Sequence, residues 1–157
     1  MLEFYTKNTV QVLWQRPLIS RINEELNNLF KLKEDMEIYK TKHYYIFMEN
    51  DKKVIPVYGE MYEIDKPTNL EVAKNYTSDM DIMKNLWPDK NCKLTDTEIT
   101  IVNADQLLCK ELQCEPSTNL LCVRQTVTYR NKVIGVNISY MNPSQCAIHM
   151  GMEPKVI

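Results

Sequence analysis

Hydrophobic positions in the second half of the chain follow two successive periods. Apolar residues at helical spacing predict a helix over residues 103–112, with Asn103 placed to accept a backbone N–H bond as its N-cap. The apolar face of this helix consists of Ala104, Leu107, Leu108 and Leu112. Aliphatic and β-branched residues then fill 120–128 and 133–141, on either side of the polar residues 129–132. The pattern therefore predicts an amphipathic helix followed by a β-hairpin.

The same pattern occurs about eighty residues earlier in the chain. A helix is expected from Ser20, its N-cap, and its apolar face consists of Ile22, Leu26, Leu29 and Phe30. Strands are predicted over residues 39–48 and 53–64, around a polar turn at 49–52. Because a helix–strand–strand unit appears twice, we predict a duplicated α+β fold, an antiparallel sheet with helices on one face.

Shorter elements are expected at the ends and in the middle of a single domain that spans residues 1–157. Residues 1–18 are predicted to form an N-terminal arm or edge strand, with a boundary at Arg16 and Pro17 because the residue before proline disfavours α geometry. The tail 153–157 is expected to be frayed. The remaining expected elements are short helices over 70–76 and from Ser78, and strands over 94–102 and 144–152.

Composition narrows the function classes. The formal net charge is −2, and the four arginines do not cluster, so no nucleic-acid contact is predicted from this chain. The N-terminus does not have the pattern of a signal peptide and no stretch has the length of a membrane span, so a cytoplasmic protein without membrane contact is expected. The five cysteines form no CxxC pair, which argues against a disulfide framework or a zinc site. We predict no metal and no cofactor, and His43 and His149 are interpreted as structural.

Three features are candidates for ligand binding from their residue types alone. A tyrosine-rich cluster on the predicted first hairpin, including Tyr45 and Tyr62, could line a pocket for an organic ligand or fill the core. Ser78 at a predicted helix start could bind an anion or act as the cap alone. Arg124 is solvated if the helices cover the face of Val123; otherwise it is a partly buried cation that needs an anionic ligand or an internal carboxylate.

The second half of the chain resembles a known family, the UTRA domain. The matching parts are the Thr/Ile strand 97–102, the pair Ala104 and Asp105 opening a helix, the aliphatic strand 120–127, the polar turn 129–132, and a strand ending in the aromatic Tyr140. The UTRA domain is the effector-binding half of many GntR-type bacterial transcription regulators of the HutC subfamily, and its fold is related to chorismate lyase. The likeness extends over roughly residues 20–150.

The resemblance implies a small-molecule effector-sensing domain that forms a homodimer. It also implies that Glu60, four residues after Pro56, faces the ligand cavity, although a solvated strand residue is the alternative. Together with the residue-based candidates, the ligand-binding residues we predict are Glu60, Tyr45, Tyr62, Ser78, Arg124 and Tyr140. No catalytic residue is predicted.

Two departures from the family pattern affect the expected function. Family members that bind phosphorylated sugars carry Arg-x-Arg on the strand before the first turn, whereas residues 43–48 hold no arginine, which argues against a strongly anionic effector. The chain also begins without a winged helix-turn-helix, so we expect an effector domain without its own DNA-binding domain. Two alternatives are kept: a chorismate-lyase-like enzyme, which would need several cavity arginines, and a ligandless dimerisation module.

Overall fold

The computed structural model describes residues 2–4, 10–18, 23–33, 36, 38–64, 92–145 and 148–150. The strands are β1 Leu2–Phe4, β2 Val10–Leu18, β3 Ile38–Glu49, β4 Lys52–Ile64, β5 Cys92–Asn103, β6 Asn119–Tyr129, β7 Lys132–Met141 and β8 Ile148–Met150. The helices are α1 Glu24–Phe30 and α2 Gln106–Leu112. The helices expected over 70–76 and from Ser78, and the tail 153–157, lie outside the described residues.

Six strands form one antiparallel sheet in the order β2-β3-β4-β7-β6-β5, while β1 and β8 pair separately. The order reflects the duplication, because β2-α1-β3-β4 and β5-α2-β6-β7 are the same unit placed on either side of the β4/β7 boundary. The predicted α+β fold with duplicated halves is confirmed. Each repeat also has a preceding strand: β5 contains the strand predicted over 94–102, and β2 lies within the predicted N-terminal arm or edge strand.

Both predicted hairpins are present and end within a residue of the predicted bounds. Their two-residue turns have positive φ at both positions: 49° and 61° at Asn50 and Asp51, and 47° and 64° at Arg130 and Asn131. Turns of this type have the twist that antiparallel strands require. The two halves therefore share turn geometry as well as element order.

The helix N-caps differ from the predicted ones. Asn23, not Ser20, caps α1 and accepts the N–H of Leu26 at 2.8 Å. Asp105, not Asn103, caps α2 and accepts the N–H of Leu108 at 2.9 Å. Asn103 is instead the last residue of β5, so the sheet holds it in an extended conformation. Leu107, predicted on the apolar face, is 51% exposed, because Leu108 and Leu112, one turn apart, form the buried face and Leu107 lies to one side of it.

The boundary predicted at Arg16 and Pro17 is also wrong. Strand β2 continues through both residues to Leu18, and Pro17 lies opposite Tyr39 of β3. β2 is an end strand of the sheet. An edge strand tolerates proline because one side of its backbone has no partner strand.

The two described helices pack on one face of the sheet, which we call the helix face. It carries Lys42, Glu60, Ile138 and Arg124, one from each of four neighbouring strands. Where the register is regular, every second residue before and after these along each strand lies on the same face. The α1 cluster contains Leu26, Phe30, Ile38, Tyr62, Ile64 and Val136. The α2 cluster contains Ile55, Tyr58, Ala104, Leu108, Leu112 and Leu120. The opposite face is also buried, around Tyr45, Val57, Val123 and Met141.

No helix in the described part of the chain combines the length and the apolar character needed to cross a bilayer.

Candidate functional site

A row of four residues crosses the helix face between the α1 and α2 clusters. Strand register places Lys42 opposite Glu60, Glu60 opposite Ile138, and Ile138 opposite Arg124. With strands about 4.8 Å apart, the two cations stand about 14 Å from each other across the sheet. Because β3 corresponds to β6 and β4 to β7 in the duplication, Lys42 and Arg124 lie on corresponding strands, as do Glu60 and Ile138. We call this set the central row.

Glu60 is the carboxylate of the central row, and three donors surround it. It accepts hydrogen bonds from the hydroxyls of Tyr58 and Tyr62, each at 2.5 Å, and Lys40 Nζ lies 2.9 Å from its Oε1. Its side chain is 12% exposed. Burial alone would raise the pKa of Glu60, but the hydrogen bonds from Tyr58, Tyr62 and Lys40 outweigh it and lower the pKa. Glu60 is therefore an ionised carboxylate held in a nearly dry environment.

Glu111 ties helix α2 to the sheet beside the central row. Its carboxylate accepts a hydrogen bond from the Tyr44 hydroxyl at 2.6 Å and lies 3.2 Å from Lys42 Nζ. Burial first, and then the hydrogen bond to Glu111, raise the pKa of Tyr44. The side chains of Lys42 and Glu111 are 24% and 14% exposed, so solvent still reaches this pair.

Arg124 pairs with Glu25 of helix α1. The pair is more open than the other two, because the Glu25 side chain is 70% exposed while that of Arg124 is 22% exposed. The structure thereby decides between the two interpretations of Arg124. The helices pack on the sheet face that carries Arg124, and a carboxylate of the same chain, Glu25, neutralises the arginine. Each described helix thus supplies one carboxylate to a cation of the central row.

Tyrosine rings form the walls around these charged groups. Tyr58 lies between Tyr44, at 5.3 Å between ring centroids, and Tyr140, at 6.3 Å and nearly parallel. Lys40 Nζ lies 5.4 Å from the ring centroid of Tyr62, and Lys42 Nζ lies 5.8 Å from that of Tyr58. Burial is the main cause that raises the pKa of each tyrosine, to about 12 at Tyr140. These hydroxyls therefore stay protonated and donate at neutral pH.

The charges of this cluster balance. Three cations, Lys40, Lys42 and Arg124, stand against three carboxylates, Glu60, Glu111 and Glu25, in one-to-one pairs. A buried pair is costly to break because the remaining charge loses its partner. These six paired groups offer both donors and acceptors and carry no net formal charge among themselves.

Four of the predicted ligand-binding residues meet on the helix face: Glu60, Tyr62, Arg124 and Tyr140. Tyr45 does not join them, because it lies on the opposite face and is 1% exposed. Ser78 lies outside the described residues. Sequence reasoning did not select Lys40, Lys42 or Glu111. Alternation along the strand places Lys40 and Lys42 on one face, so the sequence could have indicated this pair. Glu111 could not be found in this way, because it comes from a helix distant in the sequence.

The opposite face of the sheet holds a buried histidine against a glycine. His43 is 2% exposed and pairs with Gly59 on the neighbouring strand. A Cβ at residue 59 would lie 2.0 Å from His43 Nε2, so only glycine leaves room for the imidazole. Within the described residues, no three metal-binding side chains stand close enough to hold an ion.

Comparison with known proteins finds its matches among solved structures. No family model matches the sequence, and no curated protein matches it. The ligand-binding domain of a GntR-family transcriptional regulator from Bordetella bronchiseptica is similar, with a TM-score of 0.70, 12% identity, and coverage of 98% of this chain and 97% of that one.

Two further bacterial structures are similar over nearly their full length. A transcriptional regulator from Streptomyces coelicolor gives a TM-score of 0.67 at 12% identity, covering 98% of this chain and 99% of that one. The C-terminal domain of the histidine utilization repressor from Pseudomonas syringae pv. tomato gives 0.61 at 14% identity, covering 96% and 99%. The chain therefore has the fold of the ligand-binding domains of GntR-family transcriptional regulators, the fold that the UTRA resemblance predicted.

Proposed function

We propose that this chain is the small-molecule effector-binding domain of a bacterial transcription regulator, with its ligand seated over the central row. The shared fold supports this proposal, and one observation carries it. An ionised Glu60, 12% exposed, stands with three donors in the middle of the helix face, between the areas covered by α1 and α2. Fixed polar groups inside an aromatic surround are typical of a small-molecule site.

The helix carboxylates suggest how binding changes the domain. Glu111 holds α2 to Lys42, and Glu25 holds α1 to Arg124. A ligand over Glu60 that offers its own acceptors to these cations competes with the helix carboxylates. Since a ligand shifts an equilibrium only through its different affinity for two states, this competition supplies that difference. The helices are the elements we expect to move.

The balanced charges indicate the class of ligand. A ligand that displaces a helix carboxylate frees both a cation and a carboxylate. A purely anionic ligand satisfies only the cation, whereas a zwitterionic or polyhydroxylated molecule offers groups to both. This agrees with the expectation, drawn from the missing Arg-x-Arg, that the effector is not strongly anionic. Tyrosine rings beside the row also provide a stacking surface for a sugar or a planar ring.

The enzymatic alternative lacks comparable support. A chorismate-lyase-like enzyme must hold a dicarboxylate, and the arginine of the central row, Arg124, is already neutralised by Glu25. A ligandless module would have no use for a polar cluster in the middle of its packed face. We further propose that the domain acts as a homodimer in the cytoplasm and makes no nucleic-acid contact of its own.

A thermal-shift screen tests the proposal. Neutral sugars, amino acids, sugar phosphates and dicarboxylates are each added to the purified domain, and the hits are measured by calorimetry. A ligand at one hundred times its Kd stabilises the folded state by about 2.7 kcal/mol. We expect hits among the neutral or zwitterionic compounds.

A pair of variants locates the site. Glu60→Gln should weaken a hit by at least about tenfold, which corresponds to about 1.4 kcal/mol. Glu49→Gln, which changes an exposed residue of the same hairpin, should bind as the unaltered domain does. Equal affinity in both variants would overturn the placement of the site over Glu60.

A further inference from the structure

Strand β5 is an end strand of the six-stranded sheet. Among the residues that the structure describes it pairs only with β6, and ten of its own twelve residues are exposed. Two isoleucines on this strand share one face, Ile99 at 40% exposure and Ile101 at 72%. An edge strand with unpaired backbone groups is a template on which another strand can add.

The two halves of β5 are protected to different degrees. The first half contains a β-bulge between Leu94 and Asp96, a lysine at 93 and an acidic residue at 96. Bulges and charges are the devices by which proteins prevent unwanted edge pairing. The second half, from Thr97 to Asn103, has regular register, contains no proline or lysine, and has one charge, Glu98. Strand addition is therefore favoured on the second half.

Symmetry restricts how a second copy of the chain can add there. Two antiparallel copies of one strand are related by a two-fold axis perpendicular to the sheet. Opposed side chains point to the same face, so one residue must lie opposite its own copy. Repulsion between like charges excludes three residues from the position on the axis. Asp96 or Glu98 on the axis would face its own copy, and Thr97 on the axis would set Glu98 opposite Asp96.

Hydrophobic matching selects among the remaining centres. With Ile99 or Ile101 at the axis, the other isoleucine faces Thr97 or Asn103, respectively. With Val102 or Asn103 at the axis, Ile101 faces Asn103 or Asp105. With Thr100 at the axis, Ile99 faces Ile101 of the second copy on both sides, and Glu98 faces Val102. This register opposes no like charges and places four isoleucine side chains together.

We propose that two copies of this chain pair antiparallel through residues 97–103 of β5, with Thr100 on the two-fold axis. The two six-stranded sheets then form one continuous sheet, and the helix faces of both copies lie on the same side. Arg124 lies opposite Glu98 in the β5–β6 ladder, so each central row ends at the interface. The proposal specifies the dimer named under the proposed function and does not depend on ligand binding.

Sedimentation velocity over a concentration series tests the association. The unaltered domain should sediment as a dimer, and Ile101→Lys should raise the dimer dissociation constant at least tenfold. Ile101 is exposed, so this variant should fold with unchanged circular dichroism. Met48→Lys is the matched control, since Met48 is 64% exposed at the far end of the first hairpin. A monomeric unaltered domain, or an Ile101→Lys variant that remains equally dimeric, would refute the interface.

Disulfide trapping tests the register. Thr100→Cys is made together with Cys122→Ala, because Cys122 is the β6 partner of Thr100 and could capture the new thiol. Opposed residues in an antiparallel pair have Cα atoms about 4.5–5.5 Å apart, within disulfide range. Mild oxidation with diamide, a two-electron oxidant that accepts both thiol hydrogens, should give a covalent dimer.

Thr97→Cys in the same background is the register control. Under the proposed pairing, Thr97 faces Asn103 of the second copy, so its own copy lies about 20 Å along the strand. It should form no covalent dimer. Efficient trapping through Thr97 and none through Thr100 would refute the register, whatever the outcome of the ligand screen.

Discussion

Replacing Glu60 by glutamine would remove the one carboxylate that joins two tyrosines and a lysine. The amide keeps the shape of the side chain but has one acceptor oxygen and no charge. Tyr58, Tyr62 and Lys40 now share two oxygens at 2.5, 2.5 and 2.9 Å. In the variant, one hydroxyl must turn away and the lysine loses its counter-ion.

The expected magnitude follows from these three contacts. A hydrogen bond to a charged group contributes about 1.5–3 kcal/mol, against about 1 kcal/mol for a neutral one. Lys40 is 18% exposed and can turn toward water, so the loss of its contact with Glu60 should cost an amount at the low end of this range. The two tyrosine contacts then dominate, and we expect a loss of about 2–3 kcal/mol. For a domain of this size, that lowers the Tm by about 5–10 °C.

The free energy of unfolding, measured by chemical denaturation at pH values from 7 into the acid range, gives a second test. The folded state lowers the pKa of Glu60, so its contribution is complete above the unfolded pKa, near 4.3, and disappears as the pH falls through the folded pKa. The difference in unfolding free energy between the unaltered domain and Glu60→Gln should therefore shrink in acid. A constant difference, or a loss no larger than that of Glu49→Gln, would refute the described network.

Three further outcomes are expected. Gly59→Ala should cost about 1–3 kcal/mol or more in urea unfolding, because the new Cβ lies 2.0 Å from His43 Nε2, and a variant as stable as the unaltered domain would contradict the close packing. The domain should lose stability above pH 10 as tyrosinate absorbance rises, because folding raises the pKa of four tyrosines on the helix face, to about 12 at Tyr140; titration near pH 10 without unfolding would contradict this. Asp105→Ala should cost about 1 kcal/mol by removing the α2 cap, more than Asn103→Ala, and the reverse order in thermal unfolding would contradict the cap assignment.

The hairpins could be predicted from sequence because their signals are local. Alternating apolar residues on either side of a polar corner specify strand, turn and strand within one short segment. The helix starts could not be predicted in the same way. Asn103 and Asp105 are both good caps by residue type, and the choice is made by the pairing of Asn103 with Asn119 across the β5–β6 ladder.

The candidate site was predicted only in part for a similar reason. Glu60 and Tyr62 stand on one strand, and their shared face can be inferred from alternation. Lys42 is read locally as a solvated lysine. It becomes a site residue because β4 places Glu60 beside it and α2 brings Glu111, sixty-nine residues later, within 3.2 Å of its ammonium group.

Duplication gives the site its form. Lys42 and Arg124, which lie on corresponding strands, each bind a carboxylate from a helix of the other half. Between them, Glu60 faces Ile138. The duplicated sheet thus carries a cation on each of two corresponding strands, with one polar and one apolar position between them. A ligand seated there, as proposed, would meet different chemistry on the two middle strands.

The most direct test of the effector site is chemical-shift mapping of a ligand from the screen on the isotopically labelled domain. Amide shifts should be largest at the central row, Lys42, Glu60, Ile138 and Arg124, and should extend to α2 through Glu111. Glu60→Gln should reduce them at the same ligand concentration. Shifts centred on the opposite face around His43, or equal in the variant, would contradict the account.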